Sequence, residues 1–443
     1  IFNNKLMKTP SLKDYYNSII KRAKSQKNFL SLLSGNVISQ IIPFLIAPII
    51  TRIFTPIDFA VQANFIALIM LISSVAALRY EVAIVLPRNH RKARAIASLS
   101  FILIIIFSLL SNVLFFLKDF ITQVYNDQVL PQYIWLVSIA VLVVASYNTF
   151  HNICLRYGLF RHLSYSKIAQ STVGQLLIAA WGYWQWGGNG LIYGWFLGQL
   201  LSMVYLYVII KQKTDFKPLW NFKLIRKVAH EYKKFPLVNS VHTVADTFSQ
   251  QFFLFWLITY FFGAETLGLF SIVIKYLRIP IQLIGNALSQ VFYKDAAQTY
   301  QDKNSLQKLF LKNLKTTLLF ALPFLLIIGL GGRVLFTFYL GDQWSQAGVY
   351  AQYYVLSMFF YFLILPVNSL PLVVDKQELD FVFAVINYVL SLGTIIIMAV
   401  VGYSFAKILI AYTIVQSVVY ICTGIWYFYL AYKADKSNMK INN

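Results

Sequence analysis

The sequence predicts an all-α integral membrane protein of twelve transmembrane helices, arranged as two six-helix bundles that form a V-shaped central cleft. Hydrophobic residues make up 58% of the 443 residues, charged residues make up 12%, and the mean hydropathy is +0.63. Soluble globular proteins are far more polar. Apolar runs of helix length recur along the whole chain, whereas an outer-membrane barrel would show alternating segments of about ten residues. The chain is therefore expected to cross a membrane as a helical bundle.

The apolar runs also set the expected bounds of the helices, to within a few residues. We predict membrane helices at residues 29–50, 59–78, 95–117, 132–154, 165–185, 191–210, 237–261, 266–291, 314–332, 347–367, 380–402 and 405–431. An even number of crossings places both ends of the chain on the same side of the membrane.

The distribution of basic residues predicts which side that is. The N-terminal segment, every second connection and the tail together hold 31 of the 38 lysines and arginines, whereas the opposite side holds only Arg52, Lys118 and Arg333. By the positive-inside rule, both termini are cytoplasmic. The net charge of +22 then serves orientation and attraction to an anionic lipid membrane. A nucleic-acid partner would require a soluble basic domain, and the polar segments are too short to form one.

A basic segment near the midpoint divides the chain into two halves. Residues 211–236 are predicted to be an amphipathic linker that lies on the cytoplasmic leaflet, with Leu219, Trp220, Phe222 and Leu224 as interfacial anchors. The expected organisation is a cytoplasmic segment at 1–28, a bundle at 29–210, the linker, a second bundle at 237–431 and a cytoplasmic tail at 432–443.

A weak internal repeat supports this division. A shift of 208 residues places the stretch 51–65 on 259–273, so that Thr51 meets Thr259, Phe54 meets Phe262 and Ala60 meets Gly268. Both stretches join the first two helices of their half, and both halves begin on the cytoplasmic side. The repeat is therefore expected to be parallel, with its axis along the membrane normal.

One membrane helix of the second half carries cations near its middle. Its polar residues fall within an arc of roughly 120° at 100° per residue. They are Ser271, Lys275, Arg278, Gln282, Asn286, Ser289 and Gln290. Lys275 could extend toward the external surface, but Arg278 lies near the bilayer centre. Because an unpaired charge there costs at least about 2.5 kcal/mol, both cations should face the bundle interior or a water-filled cavity.

The preceding helix carries a matching polar stripe. Its members are Asn239, His242, Asp246 and Gln250, at steps of three, four and four residues. One interpretation is structural: Asp246 forms an internal ion pair with Lys275 or Arg278, and His242 is a hydrogen-bonded packing residue. The other is functional: the stripe lines a substrate path, and Asp246 or His242 exchanges a proton, because a carboxylate beside a cation can change charge state as access alternates.

The first half offers fewer polar residues within its helices. Asn36 and Gln40 share a face of the first helix with Pro43. Pro43 in the first half and Pro280 in the second are each expected to weaken or bend a helix near the cleft. We count Asn36 and Gln40, with the amides at 239, 250, 282 and 286, as candidates for binding hydroxyl groups.

The sequence contains none of the short motifs that carry catalysis. It has no phosphate loop, no HExxH and no GxSxG, and Cys154 and Cys422 lie far apart in sequence. We therefore expect no cofactor, no metal site and no enzymatic activity, and transport is favoured over catalysis.

At this point the sequence resembles a known family. The stretches GNVISQIIPFLIAPIITRIFTPIDFAVQANFIALIMLISSVAALRYEVAIVLPR (35–88) and ADTFSQQFFLFWLITYFFGAETLGLFSIVIKYLRIP (245–280) are similar to Wzx-type flippases of O-antigen or capsule repeat units. These belong to the polysaccharide transporters of the multidrug/oligosaccharidyl-lipid/polysaccharide superfamily. The resemblance covers nearly the whole chain in helix count and loop charge.

The resemblance implies a function, a location and partners. It implies alternating-access transfer of an undecaprenyl-diphosphate-linked oligosaccharide across the bacterial inner membrane, driven by an ion gradient. A polysaccharide polymerase and a chain-length regulator are the implied protein partners. Lys275 and Arg278 would suit the diphosphate, because cations in a protected cavity bind it well. Two alternatives stay open: a multidrug exporter of the same fold, and a membrane polymerase or ligase that acts on lipid-linked sugar.

Overall fold

In the computed structural model, residues 35–125, 129–184 and 187–442 are described, and within these ranges all regular structure is helical. The predicted segment 1–28 and the start of the first predicted helix lie outside the described residues. The long helices are α1 Gly35–Ile53, α2 Pro56–Ala76, α3 His90–Leu110, α4 Ile134–Arg156, α5 Phe160–Tyr183, α6 Gly190–Lys213, α7 Phe222–Glu231, α8 Ser240–Thr247, α9 Phe253–Gln301, α10 Leu306–Leu340, α11 Ser345–Ile364, α12 Gln377–Val400 and α13 Phe405–Asn442. Shorter helical pieces are Tyr80–Ala83, Val113–Phe116, Lys118–Tyr125, Leu130–Tyr133, Asp342–Trp344, Leu365–Val367 and Leu370–Val373.

Ten helical stretches of the described residues are long and apolar enough to cross a membrane. The 24-residue helix α5 is not among them, since it carries Arg161, His162 and Lys167 in its first half. One stretch, Phe235–Gln301, is 67 residues long and contains α8 and α9. It breaks at Gly263, where φ is 83° and ψ is 166°. This break falls in the predicted connection between 261 and 266, and glycine adopts such a conformation without a steric penalty.

Three helices are longer than the sequence predicts. Helix α9 continues to Gln301 rather than ending at 291, α10 runs from Leu306 to Leu340 rather than from 314 to 332, and α13 continues to Asn442 rather than ending at 431. The extra turns of α10 are stabilised at its start, because Asp435 of α13 accepts hydrogen bonds from the backbone N–H groups of Leu306 and Gln307, at 2.8 and 3.1 Å. A carboxylate at this position satisfies amides that have no partner within the helix. Hydrophobicity alone does not detect these polar extensions.

The turn between α1 and α2 is fixed by a capping box. The backbone N–H and the hydroxyl of Thr55 both donate to Asp58 Oδ2, at 2.8 and 2.7 Å, while the amide of Asp58 donates to the Thr55 hydroxyl. The two side chains thereby satisfy amides at the start of α2. Asp58 is thus engaged in forming this turn.

Residues that the internal repeat aligns lie at the contact between the two halves. Thr51 and Thr259 are both buried, and Asn64 of α2 donates to the Thr259 hydroxyl at 3.0 Å. At Gly268, an added Cβ would lie 1.8 Å from the carbonyl oxygen of Pro56. The largest apolar cluster of the described residues continues across this contact, since residues of α1 and α2 pack with α9, α10 and α11. Glycine at 268 lets the two backbones approach closely.

The linker contains an amphipathic helix, as the sequence predicts. In α7, Ile225 and Val228 are buried, whereas Trp220 and Phe222 at its start are largely exposed. The helix is attached to the first half, because the Tyr80 hydroxyl donates to the carbonyl of Ala229 at 2.9 Å and Lys92 forms an ion pair with Glu231 at 2.8 Å. The exposed aromatic rings are suited to the interfacial position expected for the linker.

The close approach at Gly268 leads to a stability prediction. We expect Gly268→Ala to lower the free energy of unfolding by about 1–3 kcal/mol, because the added methyl group meets backbone that cannot rotate away. Gly393→Ala in α12 is the matched control, since no atom lies within 4 Å of its added Cβ. Thermal unfolding of the purified full-length protein in one detergent measures both variants. Equal unfolding temperatures would contradict the close contact.

Candidate functional site

The two halves are joined by hydrogen bonds at the end of the molecule where α1 finishes and α2 begins. The Thr51 hydroxyl donates to the carbonyl of Leu340 at 2.8 Å, and the indole N–H of Trp344 donates to the carbonyl of Thr51 at 2.8 Å. Arg52 donates to the carbonyls of Tyr339 and Phe338, at 3.3 and 3.2 Å. These partners come from the end of α10 and the turn that follows it. We name this set of contacts the closed end.

Trp344 is the centre of the closed end. Its side chain is fully buried, and its ring meets Phe59 of α2 edge-on, with 5.2 Å between the centroids. Gln343 beside it donates to the carbonyls of Thr51 and Phe54. The helix ends of α1 would otherwise leave these carbonyls without partners. Side chains of the second half therefore satisfy the backbone of the first half, which holds this end shut.

Lys275 lies where α9 passes α1. Its side chain is exposed, and its ammonium nitrogen lies 5.9 Å from the centroid of the Tyr276 ring. The next residue, Tyr276, is buried and packs against the rings of Phe44 and Tyr339, with centroid distances of 5.9 and 6.4 Å. Phe44 and Tyr339 also stack on each other. Lys275 is therefore held next to the contact between the halves.

Arg278 points into a different space, a cavity of about 210 Å³ inside the second half. The cavity is lined by Gln250, Arg278, Met358, Tyr361, Ile364, Leu365, Asn368, Asp380, Phe383, Ala384, Asn387, Tyr388, Val419, Tyr420, Thr423 and Tyr427. Four tyrosines lie near the guanidinium, namely Tyr354, Tyr361, Tyr412 and Tyr420. The Nε atom of Arg278 is buried and has no hydrogen-bond partner. The site thus holds a cation with unused capacity to donate.

Asp246 is bound by neutral groups in the same region. The Tyr388 hydroxyl and the Gln250 amide both donate to its Oδ1, each at 2.5 Å. In the described part of the chain, the ion pairs within 4.0 Å are Arg79 with Glu81 and Lys92 with Glu231. The ion pair of Asp246 with Lys275 or Arg278, which the structural interpretation expects, is therefore not formed in this conformation. Hydrogen bonds from Tyr388 and Gln250 stabilise the carboxylate instead.

The remaining candidate residues of the second half do not come together at one site. Gln282 is half-buried on α9, and Asn286, Asn239 and His242 are exposed. The imidazole of His242 lies over the ring of Phe381, at 4.9 Å between the centroids. A single site that contains the whole predicted set is not formed, because the polar residues of one helix spread over a wide arc and face several neighbouring helices.

The candidates of the first half form a separate polar cluster. The Lys167 ammonium of α5 donates to Asn36 Oδ1 at 2.8 Å. Gln40, one turn further along α1, has a buried Oε1 without a hydrogen-bond partner. Lys167 was not among the predicted site residues, although its position within a membrane helix is the same signal that identified Arg278.

The tyrosines and Asp380 of the cavity were also missed. Helix α13 carries Tyr412, Gln416, Tyr420, Thr423 and Tyr427 at steps of four, four, three and four residues. This is the spacing of one helix face. The stripe escapes notice because tyrosine in a membrane helix is usually assigned to the lipid interface. A search for tyrosine at helical spacing beside a buried arginine would have found it.

Comparison with known proteins gives a family and a fold. The profile of the family described as "Polysaccharide biosynthesis protein" matches residues 49–348. Comparison with curated proteins yields no match.

Solved structures share the fold over most of the chain. The lipid II flippase MurJ in an inward closed conformation has a TM-score of 0.71 at 14% identity, covering 92% of this chain and 90% of that one. A multidrug resistance MATE family transporter of the MOP superfamily matches in its inward-facing conformation, with a TM-score of 0.60 at 16% identity and coverage of 92% and 96%. A structure of a multidrug resistance MATE family transporter in the outward-facing conformation has a TM-score of 0.56 at 16% identity, with coverage of 93% and 96%. The chain has the all-helical membrane fold of these transporters and belongs to the polysaccharide biosynthesis protein family.

Proposed function

We propose that this protein is a flippase for an undecaprenyl-diphosphate-linked oligosaccharide, and that it works by alternating access in the bacterial inner membrane. Twelve crossings follow if α5 spans the membrane and Phe235–Gln301 spans it twice, with the break at Gly263 on the external side. Both termini and α7 are then cytoplasmic. The oligosaccharide is an O-antigen or capsule repeat unit, in keeping with the family to which the chain belongs.

The observation that carries the proposal is the cation of Arg278 on α9, whose buried Nε has no hydrogen-bond partner. Lys275 and Arg278 lie three residues apart, and among the described residues neither has a carboxylate within 4.0 Å. A buried cation without a counter-charge is costly in a membrane protein, so a negatively charged ligand is the expected compensation. A diphosphate has closely spaced anionic oxygens, and a guanidinium can donate to two of them at once.

The surrounding side chains suit an oligosaccharide headgroup. The cavity beside Arg278 presents the amides of Asn368, Asn387 and Gln250 and the hydroxyls of several tyrosines. Amides and hydroxyls can donate and accept, which matches the hydroxyl groups of a sugar. Outside this cavity, the remaining candidates would contact the sugar as it passes between the halves. These are Gln282 and Asn286 on α9, Asn36 and Gln40 on α1, and Asn239 on the segment before α8.

The closed end supports alternating access. Its hydrogen bonds join backbone carbonyls of α1 and α10 to side chains of the other half, so they can be broken without unfolding either half. For the headgroup to leave on the external side, these hydrogen bonds must break. New contacts between the halves must then form at the opposite, cytoplasmic end of the molecule. Asp246 is the proposed ion-coupling residue, because binding of a proton or a cation would compete with its bonds to Tyr388 and Gln250.

The alternatives differ in what they require of the site. A multidrug exporter of this fold would attract cationic drugs with acidic groups, whereas the cations on α9 would repel them. A polymerase or ligase would need reacting groups, and the fold is that of transporters. The flippase proposal fits both the charge and the fold.

The orientation of the chain is tested by cysteine labelling. In a protein whose two native cysteines, Cys154 and Cys422, are replaced by alanine, we introduce Asn189→Cys or Lys223→Cys. An impermeant thiol reagent added to intact cells should label position 189 and spare position 223, since 31 of 38 basic residues are assigned to the cytoplasmic side. Labelling of position 223 from outside would reverse the proposed topology.

The role of Arg278 is tested by export of the polysaccharide. We expect Arg278→Ala to reduce surface polysaccharide at least about thirtyfold at a normal protein level, because loss of one partner of a buried charge pair costs about 2 kcal/mol or more. Arg278→Lys should recover only part of the export, since an ammonium lacks the two-pronged geometry. Arg333→Ala is the matched control, because Arg333 is exposed and binds Ser345.

A double variant separates a substrate role from a structural one. If Arg278 served only to compensate Asp246 in another conformation, then Arg278→Ala combined with Asp246→Ala would restore export. We expect export to stay low in the double variant while the protein remains folded. Full recovery would refute the diphosphate role of Arg278.

The closed end is tested by removing one donor. Trp344→Phe deletes the indole N–H but keeps an aromatic ring against Phe59, so we expect this end to weaken by about 1 kcal/mol, a roughly fivefold change in population. Spin labels at Ile57 and Leu335 in the cysteine-free protein should show a larger long-distance population. Trp135→Phe, on an exposed part of α4, is the control. Identical distance distributions in Trp344→Phe and Trp135→Phe would contradict the role of the closed end in holding the two halves together.

A further inference from the structure

The second half carries an apolar groove that the proposed headgroup site does not use. It lies between α10, α11 and α13 and has a volume of about 320 Å³. The groove is lined by Phe310, Leu311, Leu314, Phe360, Leu363, Ile364, Val367, Tyr420, Ile421, Gly424, Ile425 and Phe428. The surface that lines the groove is almost entirely apolar, so the groove suits an apolar group.

The rim of the groove is basic. Lys308, Lys312 and Lys315 are exposed on the first turns of α10, within an arc of about 60° at 100° per residue. Leu311 and Leu314, which line the groove, alternate with them along the same turns. Helix α10 contains no aspartate or glutamate. The combination of an apolar groove and three cations at its mouth is complementary to a lipid with a phosphate headgroup.

The groove adjoins the cavity that holds Arg278. Ile364 and Tyr420 line both spaces. Helix α13 turns Tyr420 and Thr423 toward the cavity, and Ile421, Gly424 and Ile425 toward the groove. A single layer of side chains therefore separates an apolar chamber at the membrane surface from a polar chamber with a buried cation.

We infer that this groove binds the polyprenyl chain of a lipid diphosphate, while Lys308, Lys312 and Lys315 hold the diphosphate at its mouth. The inference rests on the proposed function, which supplies a substrate with such a chain. The aromatic rings of Phe310, Phe360 and Phe428 offer flat surfaces to the branched, unsaturated chain. A lipid bound in the groove would have its diphosphate next to these three lysines. Its headgroup would then lie beside the Arg278 cavity, which it enters in the next step.

Gly424 provides a variant that fills the groove without disturbing the backbone. The nearest atom to an added Cβ is Cγ1 of Ile364, at 3.8 Å, which is an ordinary van der Waals contact. Gly424→Leu therefore places its side chain in the groove. Gly329→Leu in α10 is the matched control, since its added Cβ also meets one side-chain carbon at 3.8 Å, here of Val355, and it lies outside the groove.

The test measures binding of undecaprenyl diphosphate to the full-length protein in phosphatidylcholine nanodiscs by native mass spectrometry. We expect binding to weaken roughly tenfold in Gly424→Leu, because the added side chain displaces part of the polyprenyl chain, and loss of about two buried methylene groups corresponds to this change. Gly329→Leu should bind as the wild type does. The triple change Lys308→Gln, Lys312→Gln and Lys315→Gln should weaken undecaprenyl diphosphate but leave the binding of undecaprenol, which has no phosphate, unchanged.

The outcomes separate the groove from the proposed function. Equal binding by Gly424→Leu and Gly329→Leu would overturn the groove assignment alone, since the protein would still bind the lipid diphosphate elsewhere. Dioleoyl phosphatidylglycerol that displaces undecaprenyl diphosphate at equal concentration would show an ordinary lipid contact and would also overturn it. Failure of the wild-type protein to bind undecaprenyl diphosphate would overturn both the groove and the flippase proposal.

Discussion

Removing the guanidinium of Arg278 from water is unfavourable. The arrangement of side chains in the second half follows from the need to offset this cost. Arg278 lies near the middle of α9 with its Nε atom buried, and a buried cation is stabilised by polar groups around it. Tyrosines from α11 and α13 lie around the guanidinium, and the amides of Gln250, Asn368 and Asn387 line the adjoining space. A tyrosine supplies a hydroxyl at the end of a large apolar ring, so it satisfies the cation and packs against aliphatic neighbours at once. The cavity follows from this requirement, because a cation with an unused donor needs room for a ligand or water.

The contact between the halves obeys a different constraint. Gly268 brings the backbone of α9 onto that of α2, and nearby carbonyls of α1 are satisfied by Trp344 and Gln343. Contacts of this kind are specific but small, since each hydrogen bond contributes only about 1 kcal/mol. The largest apolar cluster of the described residues also crosses this contact, so the packing of α1 and α2 against α9, α10 and α11 joins the halves together with these hydrogen bonds.

The sequence predicts the fold well and the site only in part. Long apolar runs locate the membrane helices, because burial in lipid demands about 20 apolar residues whatever the neighbours are. The polar ends of α10 and α13 escape this rule, since Asp435 caps α10 from a position more than a hundred residues away. Depth along α9 identifies Arg278 as a buried cation, but the periodicity of α9 cannot say which neighbouring helix it faces. Packing between distant helices decides that Arg278 and Lys275 face different spaces. It also decides that Asp246 accepts hydrogen bonds from Tyr388 and Gln250 rather than pairing with either cation.

The attachment of α7 determines where the chain can bend. Tyr80 and Lys92 tie α7 to the first half, and Tyr232 and Phe235 pack against the same half, so the chain is attached to it as far as residue 235. From this residue on, the chain forms two wide π-helical turns, Phe235–Asn239 and Phe248–Phe252, on either side of α8. A π turn holds one extra residue, so passing between π and α pairing changes the pitch of the helix by one residue while its amides stay paired. Asp246 lies on the segment between these two turns. Rotation of that segment would move the carboxylate of Asp246 relative to the Tyr388 hydroxyl that donates to it.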